Sequence, residues 1–355
     1  MIFKGIIWSL TIMLTSWSGS TGIDCYKNNN NNNIKLTDNL LVTNFMNKIV
    51  NSREYICSVT DGVPLPVEWA RGGHAGGIVE GRLIVAGGNN WSKDKTTKYW
   101  LNNSAIFMDG RWVPGPEMPK PLAYTMYAHD KSGLYIAGGT SDGTTVSEDV
   151  YCLNSIKEGV GWKSLPHLPK ALNNGAGAIL KGKFYVACGS AGTEKSNRMW
   201  VLDINKSGGK WIECQSVPGA GRMFPSLVAC NNYLYLIGGL SETSPLTPLN
   251  DIYRYDPGKD LWIRLKDLPM KGYAWVSQPV DDEHLIITGR ADGSIHKGVW
   301  IIDLADMSVK EPASLVTTST TAPLIRIAEK EWWLIAGEPD ANKNRTEKIN
   351  VIKVK

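Results

Sequence analysis

The sequence predicts an all-β protein made from one sheet unit repeated around a ring, on three observations. Glycine and tryptophan are abundant, at 36 and 14 in 355 residues. Apolar runs of strand length end repeatedly in a glycine pair or its remnant. A tryptophan then follows the first four of these ends at a nearly fixed distance. Short β-branched and aromatic runs punctuated by glycine and proline are the pattern of strands and tight turns, not of helices.

In order, the runs are "IVAGG" (Gly88), "YIAGG" (Gly139), "YVACG" (Gly189), "YLIGG" (Gly239), "IITG" (Gly289) and "LIAG" (Gly337). Their intervals are 51, 50, 50, 50 and 48 residues. Trp112, Trp162, Trp211 and Trp262 follow by 24, 23, 22 and 23 residues. Between glycine and tryptophan lies an aromatic strand, as in "DVYCL", "MWVLD" and "DIYRYDP", and after it come exits such as "LPHLP" and "KDLPM". This order at this period resembles the kelch repeat. The resemblance implies a six-bladed kelch-type β-propeller over residues 55–355, four strands to a blade. Each tryptophan is expected to pack against the neighbouring blade, because no blade covers both of its own faces.

The last unit predicts how the ring closes. After Gly337 the sequence supplies one further strand, "INVIKVK", and no fourth. Residues 55–66 precede the first blade and end like the proline-rich exits, so they are expected to complete the last blade from the N-terminal side. That arrangement leaves no sheet edge open. Ahead of it, Lys4, an apolar run to about Trp17 and small residues read as a signal peptide over residues 1–22. The run is too short to span a bilayer, and the protein is expected to be periplasmic or extracellular. Residues 23–54 are read as an Asn-rich linker and short N-terminal segment, since the Asn28–Asn33 tract cannot build a core. Cys25, Cys57, Cys152, Cys188, Cys214 and Cys230 do not cluster, so buried free thiols are expected, with a stray disulfide permitted by export.

In a blade of four antiparallel strands, the residues after each glycine pair ring one mouth of the central channel. They are Asn89, Thr140, Ser190, Leu240, Arg290 and Glu338. Interblade loops bring Arg71 and His74 ("ARGGHAG") and Arg222 ("GAGRMF") to the same side, and Arg345 lies just beyond Glu338. Four arginines about one glutamate suit an anionic ligand, because a guanidinium fork matches a carboxylate. Arg71 and Arg222 can equally be structural donors to loop carbonyls, and His74 a satisfied inner-strand histidine. Five histidines without paired spacing give no metal site, and no phosphate-loop, dinucleotide or nucleophile-elbow motif occurs. A net charge of +4 without a Lys/Arg block gives nucleic-acid binding little support.

Longer stretches resemble one family. "LPKALNNGAGAILKGKFYVACGSAGT" is similar to the opening blade of bacterial N-acetylneuraminate epimerases, the sialic acid mutarotases. "ARGGHAGGIVEGRLIVAGG" is similar to a later blade. "WWLIAGEPDANKNRT" resembles the segment carrying the family's catalytic glutamate and arginine. The blade order differs, as in a circularly permuted member, which a ring tolerates because its ends meet. The Glu-to-Arg spacing is one residue longer here, and the loop "GRADGSIHKGVW" is short where the family carries an insertion.

The resemblance implies catalytic roles for Glu338 and Arg345. Arg290, Arg222, Arg71, His74 and Asn89 are candidate substrate contacts. The reaction implied is anomer interconversion of N-acetylneuraminic acid without a metal or other cofactor. A non-catalytic carbohydrate- or protein-binding module, and a mutarotase for another acidic or acetamido sugar, stand as alternatives. The partners expected are a small-molecule sugar and a second copy of the chain in a homodimer, with no nucleic acid and no membrane span.

Overall fold

A computed structural model of the chain describes residues 55–355 except 243 and 244. The expected leader, the Asn-rich segment and Cys25 lie outside the described residues. What is described is antiparallel strand throughout, with one 3-10 turn at Val67–Trp69.

Four sheets stand alone, each of four strands. Ala75–Val79, Arg82–Ala86, Ser104–Met108 and Arg111–Gly115 make the first. Met126–Asp130, Gly133–Ala137, Val150–Leu153 and Lys163–Leu165 make the next, and Ala176–Leu180, Lys183–Ala187, Met199–Asp203 and Ile212–Cys214 the third. The fourth joins Leu324–Ala328, Glu331–Gly337 and Thr346–Val354 to Cys57–Asp61. There Cys57 faces Val354 and Asp61 faces Asn350, so a segment early in the sequence takes the outer edge of a sheet formed by the last strands. A ten-stranded sheet spans the remaining stretch between Arg222 and Ser314, its two halves held together by the single pair Leu249 and Gly272. The arrangement is propeller-like.

Local sequence explains the strand reversals. Two-residue hairpins close at Glu80-Gly81, Asp109-Gly110 and Lys181-Gly182, all at positive φ. That backbone matches the right-handed twist of the flanking strands, and glycine takes its second position without a Cβ penalty. The innermost strands touch in succession, from Ala75–Val79 through Met126–Asp130, Ala176–Leu180, Ser226–Cys230, Gly272–Pro279 and Leu324–Ala328 back to the start.

The core lies between sheets. One cluster joins Tyr185, Ala187 and Met199 to Leu234, Tyr253, Tyr255 and Trp262 of the following unit. The repeated tryptophans also bind backward through their indole N–H. Trp162 donates to the Pro116 carbonyl (3.0 Å), Trp211 to Pro166 (2.8 Å) and Trp262 to Gln215 (2.9 Å). Trp112 makes the same bond to Val63 (3.0 Å), in the segment that follows the N-terminal strand. An aromatic wedge thus gives apolar burial worth about 2–3 kcal/mol while its polar edge is satisfied by the neighbouring unit.

Where each inner strand begins, one residue adopts the left-handed conformation: Gly73, Tyr124, Asn174, Phe224, Ala274 and Thr321. Tyr124 N–H donates to the Gly73 carbonyl (2.7 Å), Asn174 to Tyr124 (2.9 Å), Phe224 to Asn174 (2.6 Å), Ala274 to Phe224 (2.8 Å) and Gly73 to Thr321 (2.8 Å). A non-glycine residue in this region costs on the order of 1–2 kcal/mol. The unit-to-unit hydrogen bonds offset that cost and hold the strand entries together in a collar. Five cysteines, Cys57, Cys152, Cys188, Cys214 and Cys230, are free thiols. Among the described residues no helix is long and apolar enough to cross a membrane.

Candidate active site

The residue before each left-handed position pairs with the residue after each glycine pair. Gly72 pairs with Asn89, Ala123 with Thr140, Asn173 with Ser190 and Thr320 with Glu338. Met223 pairs with Leu240 and Tyr273 with Arg290 in the same way. One backbone geometry therefore presents all these side chains next to the collar. Asn89, Thr140 and Ser190 are buried, whereas Leu240, Arg290 and Glu338 remain partly open.

A cavity of about 280 Å³ lies on this side of the collar, lined by Lys98, Trp100, Tyr124, Arg290 and Glu338 among others. A second cavity, about 300 Å³, is lined by His74, Tyr127, His129, Ser226 and Gln278. Tyr124, Asn174, Phe224, Ala274 and Thr321 line both. The chemistry distinguishes the two. The first holds a carboxylate and two cations. In the second, burial keeps the imidazoles neutral, with His129 pulled down to about 4 and His74 well below its ordinary value.

Glu338 is held at one oxygen. Its Oε1 accepts from the Tyr124 hydroxyl (3.1 Å) and lies 3.1 Å from Arg345 Nη2. No protein partner reaches Oε2 among the described residues, and the side chain is 18% exposed. Burial and the facing Glu338 charge raise the Tyr124 hydroxyl to about 12, so it stays protonated and donates. Arg345, 4% exposed, is spent on the protein. Its Nε and Nη2 both donate to Asn89 Oδ1 (3.1 and 2.7 Å), and its Nη1 donates to the Asn344 carbonyl (2.8 Å). Asn89 is fixed in turn, its Nδ2 donating to the Gly72 carbonyl (3.0 Å).

Gly72 makes this packing possible. A Cβ there would lie 2.7 Å from Arg345 Cδ and 2.9 Å from Glu338 Cγ. Neither neighbour can retreat without giving up its hydrogen bonds.

The structure thus brings together Glu338, Arg345 and Asn89, and puts Arg290 on the same cavity. Arg71 and Arg222 are drawn away from the mouth into the sheets. Arg71 is fully buried and donates to the carbonyls of Trp69 (2.9 Å), Gly87 and Asn103 (both 3.2 Å). Burial lowers its pKa to about 10, so it remains charged. Arg222 forks onto Asp251 at 2.6 and 2.9 Å and donates to Gly238. Burial alone would lower its pKa, but Asp251 outweighs this and raises it. His74 faces the other cavity. Three residues join the site without having been singled out in the sequence: Lys98, Tyr124 and Gly72. Tyr124 carries a readable signal, because it is the one tyrosine among the collar positions.

The fold and the repeated pairing define a kelch-repeat protein, and comparison agrees. A family model described as "KLHDC2/KLHL20/DRC7 Kelch-repeats domain" matches residues 73–273, and the chain belongs to this kelch-repeat family. Curated relatives are named N-acetylneuraminate epimerase. The Haemophilus influenzae (strain PittEE) protein is 30% identical over 140 residues, covering 39% of this chain and 36% of the relative. The Salmonella arizonae protein is 35% identical over 149 residues, covering 40% and 37%. The Salmonella typhi protein is 29% identical over 192 residues, covering 49% and 48%. The chain spans less than half the length of each of these relatives. A solved structure titled "Structure of YjhT" shares the fold at a TM-score of 0.66 and 15% identity, over 82% of this chain and 99% of that one.

Proposed function

We propose that the protein is a sugar mutarotase that interconverts the α and β anomers of N-acetylneuraminic acid. The observation that carries this reading is Glu338. Its Oε1 is fixed by Tyr124 and Arg345, and its Oε2 is left to a cavity that also holds Lys98 and Arg290. The relatives' name supports the same substrate.

In this mechanism Oε2 accepts the proton of the anomeric hydroxyl. The bond from anomeric carbon to ring oxygen breaks, and the ring oxygen takes the proton back from the carboxyl group. The open ketone turns about its carbon–carbon bond and recloses by the reverse steps on its other face. No redox partner is required, and a single carboxyl group can serve both directions. Arg345 positions Glu338 and supplies positive charge beside the developing anion.

We further propose a six-bladed ring, counting the ten-stranded sheet as two blades, closed by Cys57–Asp61. The cyclic contact of the inner strands and the Trp112–Val63 bond support it. A permuted blade order accounts for the partial coverage of the relatives, since a linear alignment stops at the break. The proposed domain division is a leader over residues 1–22, a linker over 23–54 and the propeller over 55–355. Export to the periplasm or beyond belongs to the same reading, and N-terminal sequencing of protein recovered from the periplasmic and extracellular fractions tests it.

The reaction test is an NMR time course of α-anomer freshly released by a sialidase, run with catalytic amounts of protein. The expected result is faster appearance of the β-form than in buffer. An unchanged approach to equilibrium removes the mutarotase reading. Uronic acids and acetamido sugars in parallel show whether another sugar is preferred.

A further inference from the structure

Resting on the mutarotase reading, we propose that Lys98 is the cation that takes the carboxylate of the sugar acid, while Arg345 is a positioning residue. Arg345 directs all its nitrogens to Glu338, Asn89 and the Asn344 carbonyl. Arg71 and Arg222 are committed inside the sheets. Lys98 lines the same cavity as Glu338 and has no carboxylate partner among the described residues. Its single hydrogen bond is a long one, 3.5 Å, to the Tyr124 hydroxyl.

The side chain is nevertheless held in place. It rises from the hairpin of Asn89–Trp91 and Lys98–Trp100, and its ammonium lies 4.4 Å from the Trp100 ring centre, 5.1 Å from Tyr124 and 5.6 Å from Trp91. Three aromatic rings fix a cation without neutralising it, so it stays available to an anion. Lys343, stacked on the outer part of the same hairpin at 4.4 Å from Trp91, donates instead to the Lys95 carbonyl (3.2 Å).

Position completes the case. In a 2-keto sugar acid the carboxylate and the reacting hydroxyl share the anomeric carbon, so a base on one demands a cation close by for the other. Tyr124 links Lys98 to Glu338 through steps of 3.5 and 3.1 Å, which bound the separation of the two charges. Arg290 lines the cavity but has no hydrogen-bonded link to Glu338 among the described residues. Its guanidinium stacks 5.1 Å from the Tyr273 ring centre and its Nη2 lies 3.5 Å from the Gly293 carbonyl.

The surroundings also set a pH dependence. Burial first, and the neighbouring Arg345 charge after it, together lower Lys98 to about 8 against the opposing pull of Glu338. Lysine binds an anion only when protonated, so affinity for the acid is expected to fall as pH rises through about 8.

The test is calorimetric titration of N-acetylneuraminic acid and of its C1 carboxamide into wild type, Lys98→Met, Lys98→Arg and Arg345→Lys. At pH 7 the Lys98→Met change is expected to weaken the acid roughly ten- to hundredfold and to bind acid and amide alike. Lys98→Arg should recover most of the preference, and Arg345→Lys should lose rate in the anomer assay more than affinity. Circular dichroism checks that each variant is folded. If Lys98→Met retains wild-type preference for the acid, or wild type binds neither ligand, the assignment is overturned. If wild type binds the acid through Lys98 but leaves anomer exchange at the buffer rate, the mutarotase reading fails and the binding assignment stands.

Discussion

Two arginine–carboxylate pairs, built on different parts of the repeat, behave oppositely. Arg222 and Asp251 meet in a double hydrogen bond at 2.6 and 2.9 Å, with side chains 1% and 12% exposed. Arg345 and Glu338 touch at one oxygen, at 3.1 Å; the other oxygen has no protein partner among the described residues, and Glu338 lines a cavity. The first pair uses the whole carboxylate, so nothing is left for a ligand and its contribution goes to the fold. The second uses half of its carboxylate to orient the remainder. Charge pairing alone therefore does not mark a site in this fold, whereas incomplete pairing beside a cavity does.

The sharpest way to break this comparison is to remove the arginine of the closed pair. Arg222→Met leaves Asp251 buried without its partner, and the loss of stability should be about 3–5 kcal/mol, read from urea unfolding. A loss below 1 kcal/mol would make the pair an ordinary surface contact. Gly72→Ala attacks the open pair through packing. Its new methyl group displaces Arg345 or Glu338, so the anomer rate should fall roughly ten- to hundredfold, with a stability cost of about 1–3 kcal/mol. Tyr124→Phe removes one hydrogen bond to Glu338 and should lower the rate about fivefold to tenfold while leaving the thermal midpoint nearly unchanged.

The smallest effect concerns the other cavity. His129 is pulled down to about 4 in the folded chain by burial, while the unfolded chain keeps the ordinary value near 6.5. The unfolded state therefore binds more protons between these limits, and stability present above about pH 6.5 is lost as pH falls toward 4. His129→Asn should flatten that part of the urea-midpoint profile. An unchanged slope assigns the loss to other groups, His74 first.

The sequence spacing carried much of this architecture, because each repeat obeys local rules. The glycines mark where strands end, and the tryptophans mark where one unit leans on the preceding one, as the bonds to Pro116, Pro166 and Gln215 show. Glu338, Arg345 and Asn89 were legible for the same reason, since they occupy or adjoin the repeated position after the glycine pair. Arg71 and Arg222 occupy comparable loops, yet their carbonyl and carboxylate acceptors are set by neighbouring strands that linear spacing does not reveal. The link of Tyr124 and Lys98 to Glu338 was hidden by distance along the chain. Tyr124 is 214 residues from Glu338, and only the tertiary fold puts the two side by side. Gly72 was not singled out, because its role appears only once two side chains are packed over it.

The central claim is that the free oxygen of Glu338 carries the proton while Tyr124 and Arg345 hold the carboxylate in place. The most direct test follows sialidase-released α-anomer by NMR with wild type and Glu338→Gln side by side. Wild type should accelerate formation of the β-form, and Glu338→Gln should fall to the buffer rate with an unchanged circular dichroism spectrum and thermal midpoint. A folded Glu338→Gln protein that still matches wild type would contradict the account.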